Sequence, residues 1–157
     1  PKAFADAVTA DHAILSEEEQ SRHKDEVALM IKDRVTNWLQ AYPAISKNNV
    51  VVQKAFQRFF GRQIKAKHVY TDDAPEYQKA FDDLNYNADT AIPHRFETNG
   101  VAERAVRSVK EGTSCVMIQS GFNDSWWNSG MDISCFLRNV VDLQRNGSTA
   151  YLQESFW

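Results

Sequence analysis

Three carboxylates stand where chemistry could be done. Asp11 follows a run of strand-forming residues, Phe4 to Ala10. Asp72 ends a second such run, and Glu103 falls in the first turn of the longest helix-like segment. Strand ends and helix starts are rigid places that can converge at one edge of a sheet. Oxygen donors suit hard divalent cations such as Mg²⁺, which combine a few carboxylates with water and substrate phosphate. Two such ions about 4 Å apart can activate an attacking oxygen and stabilise a leaving one in phosphoryl transfer. The chain holds 21 Asp and Glu residues, and most acids only solvate a surface, so the residues around these three must decide their meaning.

Other chemistries find less support. His12, His23, His68 and His94 show no zinc-ligand spacing among themselves or with Cys115 and Cys135. The two cysteines form no Cys-x-x-Cys pair and read as buried, reduced, inert thiols, which fits an intracellular compartment. His12 adjoins Asp11 and His94 precedes the long helix, where a contact to water or a nucleic acid is open to both. Trp126 and Trp127 read as helix-start packing and Phe56, Phe59 and Phe60 as core.

Glu103, Arg107 and Lys110 have i, i+4, i+7 spacing and so share one helix face. Two readings fit: a solvated face with a weak Glu103–Arg107 pair, or a face that meets phosphates. Lys54, Arg58, Arg62, Lys65 and Lys67 form a local basic segment with no acid between them. It suits phosphate steering and a solubilising helix face equally well. Asn99 is a candidate N-cap.

The elements that must position these groups can be read from periodicity. After Phe4–Ala10, the polar stretch Ser16 to Asp25 reads as an exposed connection. Val27 to Tyr42, broken at Lys32-Asp33-Arg34, predicts two antiparallel strands joined by a tight turn. Pro43 to Asn49 reads as a loop. Val51, Ala55, Phe56, Phe59 and Phe60 recur at helical spacing, with Gly61 as a stop. A strand is predicted over Ile64–Tyr70, a helix from Pro75 with Tyr77, Ala80, Phe81 and Leu84 inward, and a strand over Asp89–Ile92. Pro93 to Gly100 reads as an irregular loop. A long helix runs from Val101 to Ser120, striped by Val106, Val109, Val116 and Met117. Gly121 breaks it, and Asp124 or Ser125 caps a last helix, Trp126 to Val141. Strands first, then helices alternating with strands, make a mixed α/β domain.

Length and composition agree with this. At 157 residues, 43% hydrophobic and 25% charged, the chain suits one folded domain. It divides into a core over 1–145 and a C-terminal tail over 146–157. Mean hydropathy is −0.52, and no run reaches the ~18 apolar residues of a membrane helix. Formal net charge is −3, so a nucleic-acid role would rest on local cations rather than overall charge. With no initiator methionine and no secretion signal, the sequence reads as a segment of a longer polypeptide.

Three segments occur in order: Val8-Thr9-Ala10-Asp11-His12, Tyr70-Thr71-Asp72-Asp73-Ala74-Pro75-Glu76-Tyr77 and Thr98-Asn99-Gly100-Val101-Ala102-Glu103-Arg104. Together they resemble the catalytic core of retroviral and retrotransposon integrases, most closely copia-type elements, over nearly the whole chain. The tail Thr149-Ala150-Tyr151 is similar to the Thr-Pro-Tyr-Glu segment that follows the copia-type core. The resemblance implies an RNase H-like fold, a mixed five-stranded sheet flanked by helices. It implies an Asp11, Asp72, Glu103 triad binding two Mg²⁺ or Mn²⁺ ions, 3′-end processing of element DNA by water, and strand transfer into target DNA. Arg107 and Lys110 match positions that contact element DNA ends, and Asn99 matches a polar loop position near the reacting end. A homodimer or higher oligomer, release from a Pol-type polyprotein and work in the host nucleus are implied as well. So are an N-terminal zinc-binding domain and a C-terminal DNA-binding region, neither visible in this sequence. Glu103 follows Asp72 by 31 positions, an interval shorter than retroviral enzymes usually have. Asp73-Ala74 replaces the common Asn-Gly, and Phe96-Glu97 replaces the usual Pro-Gln. These departures motivate an alternative, a decayed or domesticated core that binds DNA or dimerises. An unrelated acidic α/β domain is a third reading, preferred if Asp11 and Asp72 lie more than about 10 Å apart, too far to share an ion.

Overall fold

The structure, a computed structural model, describes residues 3–15, 20–61, 63–90 and 96–154, with side chains described throughout except at 88–90 and 96–99. Its spine is an antiparallel meander of β1 (Val8–Ile14), β2 (Val27–Asp33) and β3 (Leu39–Ala44). β2 is a central strand covered on both faces, so its sequence Val-Ala-Leu-Met-Ile reads as a continuous apolar run rather than an alternating one. The turn after it is built around the buried carboxylate of Asp33. Its Oδ1 accepts from Ala5 N–H at 2.9 Å, and Oδ2 accepts from Thr36 N–H at 2.7 Å, Thr36 Oγ1 at 2.8 Å and Val35 N–H at 3.1 Å.

Two short strands complete the sheet in parallel, β4 (Val69–Thr71) beside β1 and β5 (Ala88–Thr90) beside β4, giving the order β3-β2-β1-β4-β5. Helix α1 (Asn49–Phe60) starts on Asn48, whose side chain accepts from Val51 N–H, and stops at Gly61 with φ 72°. Helix α2 (Pro75–Leu84) places proline in its first turn, where the missing N–H has no partner to lose. Helix α3 (Phe96–Ser120), a 3₁₀ turn (Asp124–Trp126), α4 (Trp127–Val141) and α5 (Ala150–Glu154) follow.

Strand alternation sorts the side chains into two cores. Val8, Ala10, Leu29, Ile31 and Val69 face α1 and α2 and meet an aromatic cluster there. Ala13, Ala28, Met30, Leu39 and Ala41 face α3 and α4, where Ala105, Val109, Trp127, Met131 and Cys135 close the second core. α3 and α4 pack tightly: a Cβ on Gly130 would stand 2.8 Å from Met117 Sδ. Asn139 ties α4 to the sheet. Its Oδ1 accepts from Leu39 N–H at 3.0 Å, and its Nδ2 donates to Leu39 O at 2.8 Å.

Several sequence expectations shift. β1 spans Val8–Ile14, not Phe4–Ala10, because Ala5 adopts φ 68° and gives its N–H to Asp33. Asp11 therefore sits inside the strand rather than after it. β3 runs on through Pro43 and Ala44, where an edge strand tolerates proline. β4 is three residues long, Val69–Thr71, instead of Ile64–Tyr70. α3 begins at Phe96, so Asn99 is helical and not its N-cap, and residues from 96 onward leave the expected loop. Asn123, not Asp124 or Ser125, caps the 3₁₀ turn, its side chain accepting from Ser125 N–H. α4 is not the last helix, since the tail forms α5. Cys135 is buried as expected, but Cys115 is exposed on α3. Positions 91 and 92 of the predicted last strand, together with Arg62 and His94, lie outside the described residues.

Candidate active site

Asp11 shares the sheet face of Ala13 and Met30, its pairing partner on β2, so its carboxyl looks toward α3. β1 and β4 pair in parallel at Val8↔Val69 and Thr9↔Tyr70. Thr9 Oγ1 locks the end of that pairing by donating to Tyr70 O at 3.3 Å. The same register carried two residues further brings Asp11 level with Asp72, just past the end of β4. Paired strands lie about 4.8 Å apart. Both aspartates thus stand beyond the point where two parallel neighbours stop pairing, the place where open α/β sheets take ligands.

The charge of Asp72 reaches Asp11. Burial raises the carboxyl pKa of Asp11 above its ordinary value. The charges of Asp72 and Glu103 raise it further, while the His12 N–H, donating to Oδ1 at 2.8 Å, and Lys47 work against the rise. Asp72 is raised first by burial and then by Glu76 and Asp73, against the lowering effect of Lys47 and the Ala74 N–H. Glu103 is exposed on α3, two residues before Ala105, which anchors that helix to the second core. The three expected residues therefore share one electrostatic neighbourhood. They do not close into a ligand cage: among the described residues no three Asp, Glu, His or Cys side chains are grouped tightly enough to hold one ion. Donor chemistry nevertheless fits a hard divalent cation. The Asp11 and Asp72 carboxylates offer oxygen donors of like charge, whose repulsion a cation would relieve.

Two features escaped the sequence. Lys47, exposed in the loop after β3, lowers the proton affinity of Asp11, Asp72 and His12 alike. Its only sequence signal is being the sole cation between Arg34 and Lys54. Beneath the carboxylates, His12 Nδ1 lies 2.7 Å from the Tyr77 hydroxyl. Tyr77 is raised well above the usual phenol range by burial and by Asp11, Asp72 and Glu76, so it keeps its proton and donates. Burial pushes the His12 imidazole down to about 4, and its Nε2 is buried without a hydrogen-bond partner among the described residues.

Of the expected nucleic-acid contacts, Arg107 and Lys110 are exposed on the face of Glu103, and no ion pair between Glu103 and Arg107 forms among the described residues. The side chain of Asn99 lies outside the described residues. The basic segment does not act as one track. Lys67 ion-pairs with Asp6 at 2.5 Å, and the Arg58 guanidinium stacks 5.6 Å from the Tyr42 ring centroid. Trp127 is buried in the second core, and Trp126 is covered by the Arg22 guanidinium at 3.8 Å, so both tryptophans pack rather than wait for bases.

No family model and no curated protein matches the sequence. Solved structures do. The catalytic core domain of BIV integrase superposes with TM-score 0.70 at 15% identity, over 94% of this chain and 92% of that one. The HTLV-2 integrase catalytic core domain, in complex with magnesium and in a trimeric form, gives TM-score 0.71 at 11% identity over 97% of each. A chain of a simian T-cell lymphotropic virus intasome, in complex with PP2A regulatory subunit B56 gamma, gives 0.77 at 14% identity. That match takes 98% of this chain and 55% of the other. The fold is that of a retroviral integrase catalytic core.

Proposed function

We propose that this chain is a metal-dependent polynucleotidyl transferase, the catalytic core of a copia-type retroelement integrase. Its chemistry would be removal of nucleotides from 3′ element ends and transfer of those ends into target DNA. The observation that carries the reading is the pair of like-charged carboxylates, Asp11, half-buried within β1, and Asp72, just past the end of its parallel neighbour β4, with the charge of Glu103 on α3 bearing on Asp11. Asp11, Asp72 and Glu103 would hold Mg²⁺ or Mn²⁺, two ions in all, which when bound activate the attacking oxygen and stabilise the leaving one. The chain's own part is positioning. The β1–β4 pairing fixes two carboxylates on rigid backbone, Arg107 and Lys110 receive backbone phosphates one and two turns along α3, and Asn99 stands at the helix start beside the reacting end. The His12–Tyr77 pair fills the floor without adding charge.

Other parts of the reading concern the longer protein. Ile133, Phe136, Leu137 and Val141 leave an exposed apolar face on α4, which supports a homodimer or higher oligomer. Residues 1–145 act as the core and 146–157 as its tail. The protein is released from a Pol-type polyprotein and works in the host nucleus.

The test is Mn²⁺-dependent nicking of a duplex carrying element-like ends. Asp72→Asn should abolish it with an unchanged circular dichroism spectrum, and equal cutting by the variant would sink the assignment. One observation favours a second reading, a decayed core that only binds DNA or dimerises: no three ligands are grouped for an ion among the described residues. Under it, calorimetry would show no heat of divalent-metal binding at millimolar concentration, and duplex affinity would ignore Mg²⁺.

A further inference from the structure

A second charged site lies around the helix from the carboxylates, and its sign is opposite. Lys32 on β2, Arg34 in the following turn, Arg104 on α3 and Arg138 in the last turn of α4 line one concavity of about 390 Å³, with Leu39 and Ala105 as its buried apolar floor and Asn37 at its rim. None of the described lining residues is acidic.

The nearest acid in sequence cannot neutralise them. Asp33 points to the other face of β2 and spends both oxygens on Ala5, Val35 and Thr36. Among the described residues, the other contacts of these cations are weak or neutral. Arg138 reaches Asp142 only at 4.0 Å between exposed side chains and donates to Ser108 Oγ, while the Arg34 guanidinium lies 5.2 Å from the Tyr70 ring centroid. Lys32 is half-buried, and burial together with the charges of Arg138, Arg104 and Arg34 lowers its hold on its proton. Four like charges converging on one hollow, in a chain of net charge −3, cost stability unless an anion enters. Guanidinium forks beside an ammonium match the tetrahedral oxygens of phosphate.

We infer that this hollow is a phosphate subsite that takes a backbone phosphodiester of a nucleic-acid strand lying across α3. Its place decides the source of the phosphate. Arg104 follows Glu103 directly, about 100° around the helix. A strand held by Arg107 and Lys110 on the carboxylate side can therefore pass its flanking backbone over this rim. The inference rests on the nucleic-acid reading above, but not on catalysis.

The experiment measures binding of a fluorescent duplex to the whole chain across a salt series in metal-free buffer, with inorganic pyrophosphate as competitor. The Lys32→Met, Arg104→Gln double variant should bind about tenfold more weakly, with a log–log salt slope shallower by one to two, since each lost phosphate contact removes roughly 0.9. Arg104→Lys should restore most of the loss. Arg138→Gln, a change at an exposed position, repeats the test should the double variant unfold. Unchanged affinity and slope overturn the inference, as does a wild type that binds no duplex. Loss of pyrophosphate competition with duplex binding intact also overturns it, since the hollow would then serve free phosphate. Because no divalent ion is present, a chain that never nicks DNA still answers this question, and failure of the catalytic reading stays separate.

Discussion

Against α1 and α2 the sheet meets a cluster of rings; against α3 and α4 it meets smaller side chains and a single tryptophan, and on that face it presents Asp11 and Lys32. On the first side Phe56 stacks edge-on to Phe81 at 5.1 Å and to Tyr86 at 6.1 Å, with Phe4, Phe59 and Phe60 around them. On the second side the small residues Ala13, Ala28, Ala41 and Ala105 let the helices close in. The same face presents Asp11 and Lys32, whose charges are left only partly matched within the chain. The aromatic side is the frame and the small-residue side is the working surface. A charged site is a local instability, and here it is borne by a structure held elsewhere.

Changes on the two sides should therefore separate activity from stability. The largest effect expected is on chemistry: Asp11→Asn should reduce Mn²⁺-dependent cleavage by about a thousandfold, several kcal/mol of transition-state stabilisation. In metal-free buffer the same variant should melt slightly higher than the wild type, because one of two repelling carboxylates is gone. A melting temperature that falls would contradict the repulsion. Phe56→Ala, on the framing side, should cost about 3–5 kcal/mol in urea unfolding, as a large side chain with no exposure is lost.

Asn139→Ala should cost about 2–3 kcal/mol, less than the ring, by orphaning the buried N–H and C=O of Leu39 that it now satisfies. His12 gives a pH signature. Its imidazole is neutral in the fold, with a pKa pushed from 6.5 to about 4, chiefly by burial. The unfolded chain takes up the proton first, so its contribution is full above pH 6.5 and is lost as pH falls toward 4. Asp11 and Asp72, with raised values, act with the opposite sign: their contribution is lost as pH rises through the carboxylate range. His12→Asn should flatten the acid-side loss by about 2 kcal/mol, discounted for partial solvation of the ring. A denaturation series across pH checks it. Smallest of all, Arg107→Gln should change stability by less than about 0.5 kcal/mol while weakening duplex binding.

Much of this was legible from local pattern. Gly61 stops α1 where its place after the Phe56, Phe59, Phe60 stripe predicts. The Tyr77, Ala80, Phe81 stripe buries as its spacing demands. The face shared by Glu103, Arg107 and Lys110 is exposed along α3. The misplacement of β1 by four residues was not avoidable from propensity. Ala5 is an ordinary residue whose left-handed backbone is imposed by the distant carboxylate of Asp33.

The order and type of β1–β5 and α1–α4 were thus set by the sequence itself, through periodicities that act over a few residues, while the three acids were singled out only by the motifs around them. Tertiary structure alone decided which residues meet. Lys47 joins the aspartates only because the end of the edge strand delivers its loop there. Tyr77 meets His12 across 65 positions. Lys32, Arg34, Arg104 and Arg138 gather into one hollow only when β2, its turn, α3 and α4 pack. Coulomb forces and burial act through space, and no spacing along the chain encodes them.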